Sequence, residues 1–117
     1  MNSKRLLFFP QNETHLENMI PLLPKLESKG FICEFIDASK MYHQNIYDTY
    51  PQLKLIQLKT TCEKPFYTSS TMQKIKYVIT LKKELKNIKH QYEGLFFGND
   101  GALQRLVMKT LSVKRTF

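Results

Sequence analysis

The fold is decided by residues 6–17, LLFFPQNETHLE. The first four residues are apolar without alternation, which is typical of a central parallel strand that is covered on both faces. Pro10 ends this strand, and Thr14 with Glu17 matches the S/T-x-x-E capping box, whose hydroxyl and carboxylate accept hydrogen bonds from free backbone amides. The pattern therefore predicts a strand, a short polar loop and a helix that begins at Thr14.

A second strand follows this helix. The helical pattern runs to a basic last turn at Lys29 and a helix-ending glycine, Gly30. Residues 31–37, FICEFID, are then typical of a strand. Because a helical crossover joins the two strands, we expect them to be parallel and their connection to be right-handed. Pro21 and Pro24 predict a kinked or late-starting helix, since an interior proline removes a backbone hydrogen bond.

Three further elements extend the pattern. Residues 53–58 are predicted to form a third strand, whose polar interruptions suit the edge of a sheet. Residues 94–97, GLFF, form a second fully apolar strand, and another helix begins near Ala102. Between these strands, residues 70–90 form the clearest amphipathic helix, with apolar residues at steps of three and four: Met72, Ile75, Val78, Leu81, Leu85 and Ile88.

The order of the strands follows from their polarity. The two fully apolar strands belong in the middle of the sheet, and the two more polar strands lie outside them. The predicted fold is a single α/β domain over residues 1–117, a Rossmann-like three-layer sandwich with a parallel sheet of order 3-2-1-4 and a partial fifth strand. The sequence stops at residues 112–117, where the fifth strand would begin, so the fourth strand would be an open edge. We expect either a truncated N-terminal half of a two-domain enzyme or self-association through this edge.

Composition restricts the partners. The 117 residues carry a formal net charge of +8, which favours phosphates, nucleotides, nucleic acid or acidic lipid. Nucleic acid is the least favoured, because most phenylalanines fall in predicted strands rather than on an exposed stacking surface. The lysines of residues 74–89 are interpreted as a solvated helix face. Cys33 and Cys62 are predicted to be reduced, and no metal site or resident cofactor is expected. Without a signal-peptide core or an apolar run of about 20 residues, the chain is expected to be cytoplasmic with no transmembrane segment.

The binding site is expected at the reversal of the strand order. Ligands of open parallel sheets bind beyond the carboxyl ends of the strands at this point, which lies between the first and fourth strands. The loops at residues 10–15 and 98–101 converge there, and each opens a helix whose free amides favour an anion. The catalytic candidates are His15 and Glu13. The candidates for substrate binding are Asn12, Thr14, Gly98, Asn99, Asp100, Gly101 and Arg105.

Each candidate also has a structural explanation. Thr14 serves equally as a helix cap, as does Asn99 or Asp100 for the last helix, and glycines serve to permit a tight turn. His15, Glu13 and Arg105 fit a solvated or incidental position as well as a site. The loop after the first strand lacks G-x-G-x-x-G. Asp37 stands at the place of a ribose-binding acid, but without this loop it is interpreted as unrelated to nucleotide binding. Walker, nucleophile-elbow and receiver-domain patterns are absent too.

Two segments resemble a known family. Residues 8–21, FFPQNETHLENMIP, resemble the first strand, loop and proline-bearing helix of two-domain, B-type glycosyltransferases and the related sugar-nucleotide 2-epimerases. Residues 95–102, LFFGNDGA, followed by Gln104 and Arg105, are similar to their later strand and glycine turn. The resemblance covers the chain in order.

The resemblance implies an acceptor-side domain of a glycosyltransferase that acts with a nucleotide-sugar donor in polysaccharide or glycoconjugate biosynthesis. The partners would be a nucleotide sugar or sugar acceptor and a missing C-terminal Rossmann-like domain, without which the chain would be inactive. Asn12, Glu13, His15, Asn99 and Asp100 would face the ligand, with His15 or Glu13 as the base that deprotonates an acceptor hydroxyl. The alternative is a non-enzymatic Rossmann-like or flavodoxin-like module that binds phosphate or nucleotides through the same loops.

Overall fold

The predicted sheet and its strand order are confirmed. The structure, a computed structural model, describes residues 4–88, 91–98, 102–111 and 115–116. Its strands are β1 (Arg5–Phe9), β2 (Ile32–Asp37), β3 (Leu55–Gln57), β4 (Gly94–Phe97) and β5 (Arg115–Thr116). All four pairings are parallel, and the order is β3-β2-β1-β4-β5.

The helices agree with the sequence pattern except in their details. They are α1 (Glu13–Met19), α2 (Leu23–Ser28), α3 (Ser39–Tyr42), α4 (Thr71–Lys86) and α5 (Ala102–Leu111), with 3-10 turns at Ile20–Leu22 and Phe66–Thr68. The 3-10 turn between α1 and α2 holds Pro21 near its start, and Pro24 lies near the start of α2. The predicted kink is therefore confirmed, because each proline occupies a first-turn position that needs no amide donor.

The predicted start of α1 is wrong by one residue. The helix begins at Glu13, and the cap is the side chain of Asn12, whose Oδ1 accepts a hydrogen bond of 2.9 Å from the amide of His15. Asn12 is extended and ranks at least as high as threonine as a cap, so it replaces the predicted Thr14 capping box. Thr14 lies exposed in the first turn.

Two apolar cores cover the two faces of the sheet. On the face of α1 and α2, the ring of Phe8 stacks between Phe35 and Phe96, with centroid distances of 4.7 and 4.5 Å. The other core holds Leu7 and Phe9 with buried residues of α4 and α5. Alternate residues of β1 thus face opposite layers, as expected for a three-layer fold with a central β1.

The expectation that β4 is an open edge is wrong for the two residues that pair with β5. Gly94 pairs with Arg115 and Leu95 pairs with Thr116, so a short parallel strand covers this part of the edge. Self-association through β4 is therefore not needed to pair these two residues.

The apolar face that the sequence predicts for α4 is also only partly correct. Leu81 and Leu85 are fully buried, whereas Met72 and Ile75 are exposed. Each step of three residues turns the side-chain direction by about 60° around a helix of 3.6 residues per turn. Three such steps from Met72 to Leu81 therefore reverse the direction, although every single step looks helical. The first two turns of α4 consequently present apolar side chains to solvent.

Candidate functional site

The candidate site lies where β1 and β4 end side by side. Phe9 pairs with Phe97, so Pro10 and Gly98 leave the sheet as neighbours. The chain from β1 enters α1 on one face of the sheet, and the chain from β4 leads into α5 on the other face. This divergence is the geometry that opens a crevice at the reversal of the strand order.

His15 and Gly98 are in direct contact at this point. A Cβ added to Gly98 would overlap the ring and the Cβ of His15. Among the described glycines, Gly30 has a positive φ, at 92°, and Gly98 does not. The structure therefore favours close approach over turn geometry as the reason for glycine at residue 98. The two predicted loops meet through this pair.

The ring of His15 has one nitrogen engaged by its own loop. The amide of Gln11 donates to Nδ1 over 3.4 Å. A nitrogen that accepts in neutral imidazole leaves the proton on the other nitrogen, so this contact favours the Nε2–H tautomer. In the described residues no hydrogen bond engages Nε2, and the side chain is half-buried. The neutral ring can thus donate a hydrogen bond to an oxygen.

The other predicted site residues differ in their exposure and in their hydrogen bonds. Glu13 and Thr14 lie exposed in the first turn of α1, and Arg105 lies exposed on α5. The Oδ1 of Asn12 is occupied by the cap, which leaves its amide nitrogen as the group for a ligand. The predictions for Asn99, Asp100 and Gly101 lie outside the described residues.

Asp37 has a local role at the end of β2. Its Oδ1 accepts a hydrogen bond of 3.0 Å from the amide of Ser39, at the start of α3. This contact supports the interpretation that Asp37 is a structural residue and not a ribose ligand.

Sequence reasoning missed a buried polar pair near the same end of the sheet. Gln104 is 1% exposed, and among the described residues neither polar atom of its amide has a hydrogen-bond partner of good geometry. It lies beside the Tyr42 hydroxyl, whose pKa is raised by burial and by the neighbouring Tyr67. The signal was present in the sequence, since Gln104 stands three residues before Val107 on the apolar side of α5.

A second polar cluster lies at the amino end of the strands and was not predicted either. Glu34 is 1% exposed and accepts hydrogen bonds of 3.0 and 2.9 Å from Nε and Nη2 of Arg5. The Nζ of Lys54 lies 3.4 Å from the same carboxylate. Burial alone would raise the pKa of Glu34, but the hydrogen bonds from Arg5, the nearby Tyr92 hydroxyl and the charges of Arg5 and Lys54 lower it. Both oxygens of Glu34 are engaged by these cations, which fits a structural role.

Other chemistries find little support in the described part of the chain. Within residues 4–88, 91–98 and 102–111, no group of three His, Cys, Asp or Glu side chains is placed to hold a metal ion. Both cysteines are free thiols, and burial raises the pKa of Cys33 to about 11, so this thiol is a poor nucleophile at neutral pH. No described helix combines the length and the hydrophobicity that a membrane span requires.

The fold is therefore that of a Rossmann-like α/β domain whose strand order reverses between β1 and β4. Comparison with models of protein families, with curated proteins and with solved structures gave no match.

Proposed function

We propose that this domain is the acceptor-binding half of a glycosyltransferase that acts with a nucleotide-sugar donor in polysaccharide or glycoconjugate biosynthesis. The observation that carries the proposal is the contact of His15 with Gly98, which brings together, at the strand-order reversal, two sequence segments that resemble glycosyltransferases. The net charge of +8 suits a donor that carries phosphates.

Hydrogen bonding, exposure and charge suggest a role in binding or catalysis for each candidate residue. The Nε2–H of His15 donates to a hydroxyl of the acceptor or to a phosphate oxygen of the donor, since Nδ1 is held by Gln11. Glu13, two residues earlier and exposed, is the better candidate for the base that takes the proton of the acceptor hydroxyl. Arg105 supplies a cation for phosphate, and the amide nitrogen of Asn12 supplies a further donor.

One observation favours a second function, a non-enzymatic module that binds phosphate or nucleotides. The tautomer of His15 that Gln11 favours is a hydrogen-bond donor, and a donor suits binding of an oxyanion better than removal of a proton. In this case Glu13 is a solvated carboxylate without a role.

Binding by the isolated domain separates these functions. We would titrate ¹⁵N-labelled protein with phosphate-free oligosaccharides, with nucleotide sugars and with nucleoside diphosphates. The transferase proposal expects oligosaccharides to shift the amide signals of residues 11–15, 98 and 102–105. Shifts caused only by phosphate-bearing ligands would favour the binding module, and no shifts with any ligand would contradict both.

Two variants test the residue roles. His15→Gln is expected to weaken binding about tenfold, which is the typical effect of one lost hydrogen bond. Glu13→Gln is expected to weaken the binding of the oligosaccharide more than the binding of the nucleotide. Glu27→Gln is the matched control, because Glu27 is an exposed helical carboxylate on α2, away from the crevice. Equal effects of the Glu13 and Glu27 changes would remove Glu13 from the site.

A further inference from the structure

The outward side of α4 carries an exposed apolar patch that the proposed sugar site does not use. Met72, Ile75 and Ile79 are 75%, 55% and 50% exposed. They lie at steps of three and four residues, so their side chains share one side of the helix. Phe66 and Tyr67 of the preceding 3-10 turn border a shallow apolar groove together with Ile75 and Ile79. We call Met72, Ile75 and Ile79 the outward triplet.

Lysines surround this outward triplet. Helical geometry places Lys76 and Lys83 on one flank of the triplet and Lys82 on the other, while Lys86 lies in line with the triplet near the end of the helix. All four are exposed. In the part of the chain that the structure describes, none of these four lysines forms an ion pair. The long side chains can therefore extend from an apolar surface toward anionic groups.

The acid in α4 does not neutralise this charge. The carboxylate of Glu84 accepts hydrogen bonds from the amides of Lys59 and Thr60 and from the hydroxyl of Thr60. These contacts hold Glu84 against the loop that follows β3, on the side away from the triplet. The exposed side of α4 is consequently cationic and apolar together.

The chemistry of the patch selects among anionic partners. Single-stranded nucleic acid is held by lysine or arginine together with aromatic rings on which bases stack. Here Met72, Ile75 and Ile79 are not aromatic and are more exposed than the neighbouring ring of Tyr67, which suits acyl chains better than bases. A second copy of this chain would bring the same cationic surface, which disfavours pairing through the patch. An anionic bilayer offers both acyl chains for the triplet and headgroups for the lysines.

We propose that α4 docks the domain on an anionic membrane surface, with the outward triplet at the headgroup–acyl boundary and the surrounding lysines on lipid phosphates. The proposal does not depend on the sugar chemistry of the crevice.

The absence of tryptophan from the sequence allows a direct test. Ile75→Trp introduces a single fluorescent reporter into the patch. Leu22→Trp is the matched control, because Leu22 is 43% exposed next to the opposite helical layer. With vesicles of phosphatidylglycerol and phosphatidylcholine, we expect a blue shift and quenching by brominated acyl chains for Ile75→Trp, and neither effect for Leu22→Trp.

Substitutions separate the apolar and the charged contributions. Replacement of Met72, Ile75 and Ile79 by serine should weaken co-sedimentation with these vesicles by about tenfold or more, since each buried methylene contributes to membrane binding. Lys76→Glu with Lys83→Glu should do the same and should reduce the salt dependence. Leu22→Ser with Ile32→Ser removes exposed apolar side chains elsewhere and should leave binding unchanged.

Three results would overturn the proposal. These are no binding to anionic vesicles, equal quenching of the two tryptophan variants, and a response of Ile75→Trp to single-stranded DNA but not to vesicles. The last result would identify a nucleic-acid surface instead. Circular dichroism of every variant checks that the fold is retained.

Discussion

The two ends of the sheet use polar side chains in opposite ways. At the amino end, Glu34 is buried and both of its oxygens are engaged by Arg5 and Lys54. At the carboxyl end, His15 is half-buried, and one ring nitrogen is held while the other can serve a ligand. The difference separates a buried group that its partners satisfy, whose loss should reduce stability, from a partly engaged group at the strand-order reversal, for which we propose a role in binding.

The amino end should show the largest effect on stability. Glu34→Ala leaves the partly exposed Arg5 without its partner and a cavity in place of a buried side chain, and should lower the free energy of unfolding by about 3 kcal/mol. Urea denaturation measures this change. Glu27→Ala, which removes an exposed carboxylate, should change it by less than about 0.5 kcal/mol.

The Glu34–Arg5 pair also makes the stability of the protein depend on pH. The pKa of Glu34 is lowered in the folded state, so its contribution is present above the unfolded value of about 4.3 and is lost as the pH falls through the folded value. The native protein should therefore lose stability on acidification more steeply than Glu34→Ala. Parallel curves for the two proteins would show that Glu34 is not the responsible carboxyl group.

At the carboxyl end of the sheet, Gly98→Ala should lower the stability by an intermediate amount. The new methyl group overlaps His15, and overpacking of this kind costs about 1–3 kcal/mol. A double-mutant cycle with His15→Gly measures the coupling, because that change removes both the ring and its Cβ. Coupling below about 0.5 kcal/mol would mean that the two residues do not share this space.

The cap of α1 should have a smaller effect. Asn12→Ala removes the acceptor of the His15 amide and should cost about 1 kcal/mol, whereas Asn12→Ser should retain most of the stability. Thermal unfolding compares the two. A larger loss in Thr14→Ala than in Asn12→Ala would restore Thr14 as the cap.

His15→Gln should have the smallest effect on stability and the largest effect on binding. We expect a change in unfolding free energy of about 0.5 kcal/mol, because the side chain is only half-buried and loses one long hydrogen bond. Calorimetric unfolding measures this value beside the ligand titration. A loss similar to that of Glu34→Ala would make His15 a structural residue and would remove the contrast between the two ends.

The sequence predicts the sheet well because its strongest signals are local. The uninterrupted apolar runs in β1 and β4 identify central strands, and the prolines after Met19 predict the break between α1 and α2. These features depend on neighbours in the chain. The order of the strands then follows from rules of chirality and burial.

The predictions fail where backbone conformation, helix rotation or contacts between distant residues determine the outcome. Asn12 and Thr14 are both good caps, and only the backbone conformation chooses between them. Met72 fits a helical step pattern but lies opposite Leu81, because small angular steps accumulate. The Glu34 pair and the burial of Gln104 depend on residues far apart in the chain. The contact of His15 with Gly98 was expected only as a meeting of two loops.

That contact also constrains how the gene can change. Residues 15 and 98 are encoded far apart but share one space in the fold, so a larger side chain at residue 98 costs less stability once residue 15 has become smaller. Selection for stability starting from Gly98→Ala should therefore recover second-site suppressors at residue 15. The order of the two changes matters, because the path through the smaller residue at position 15 avoids the overpacked intermediate.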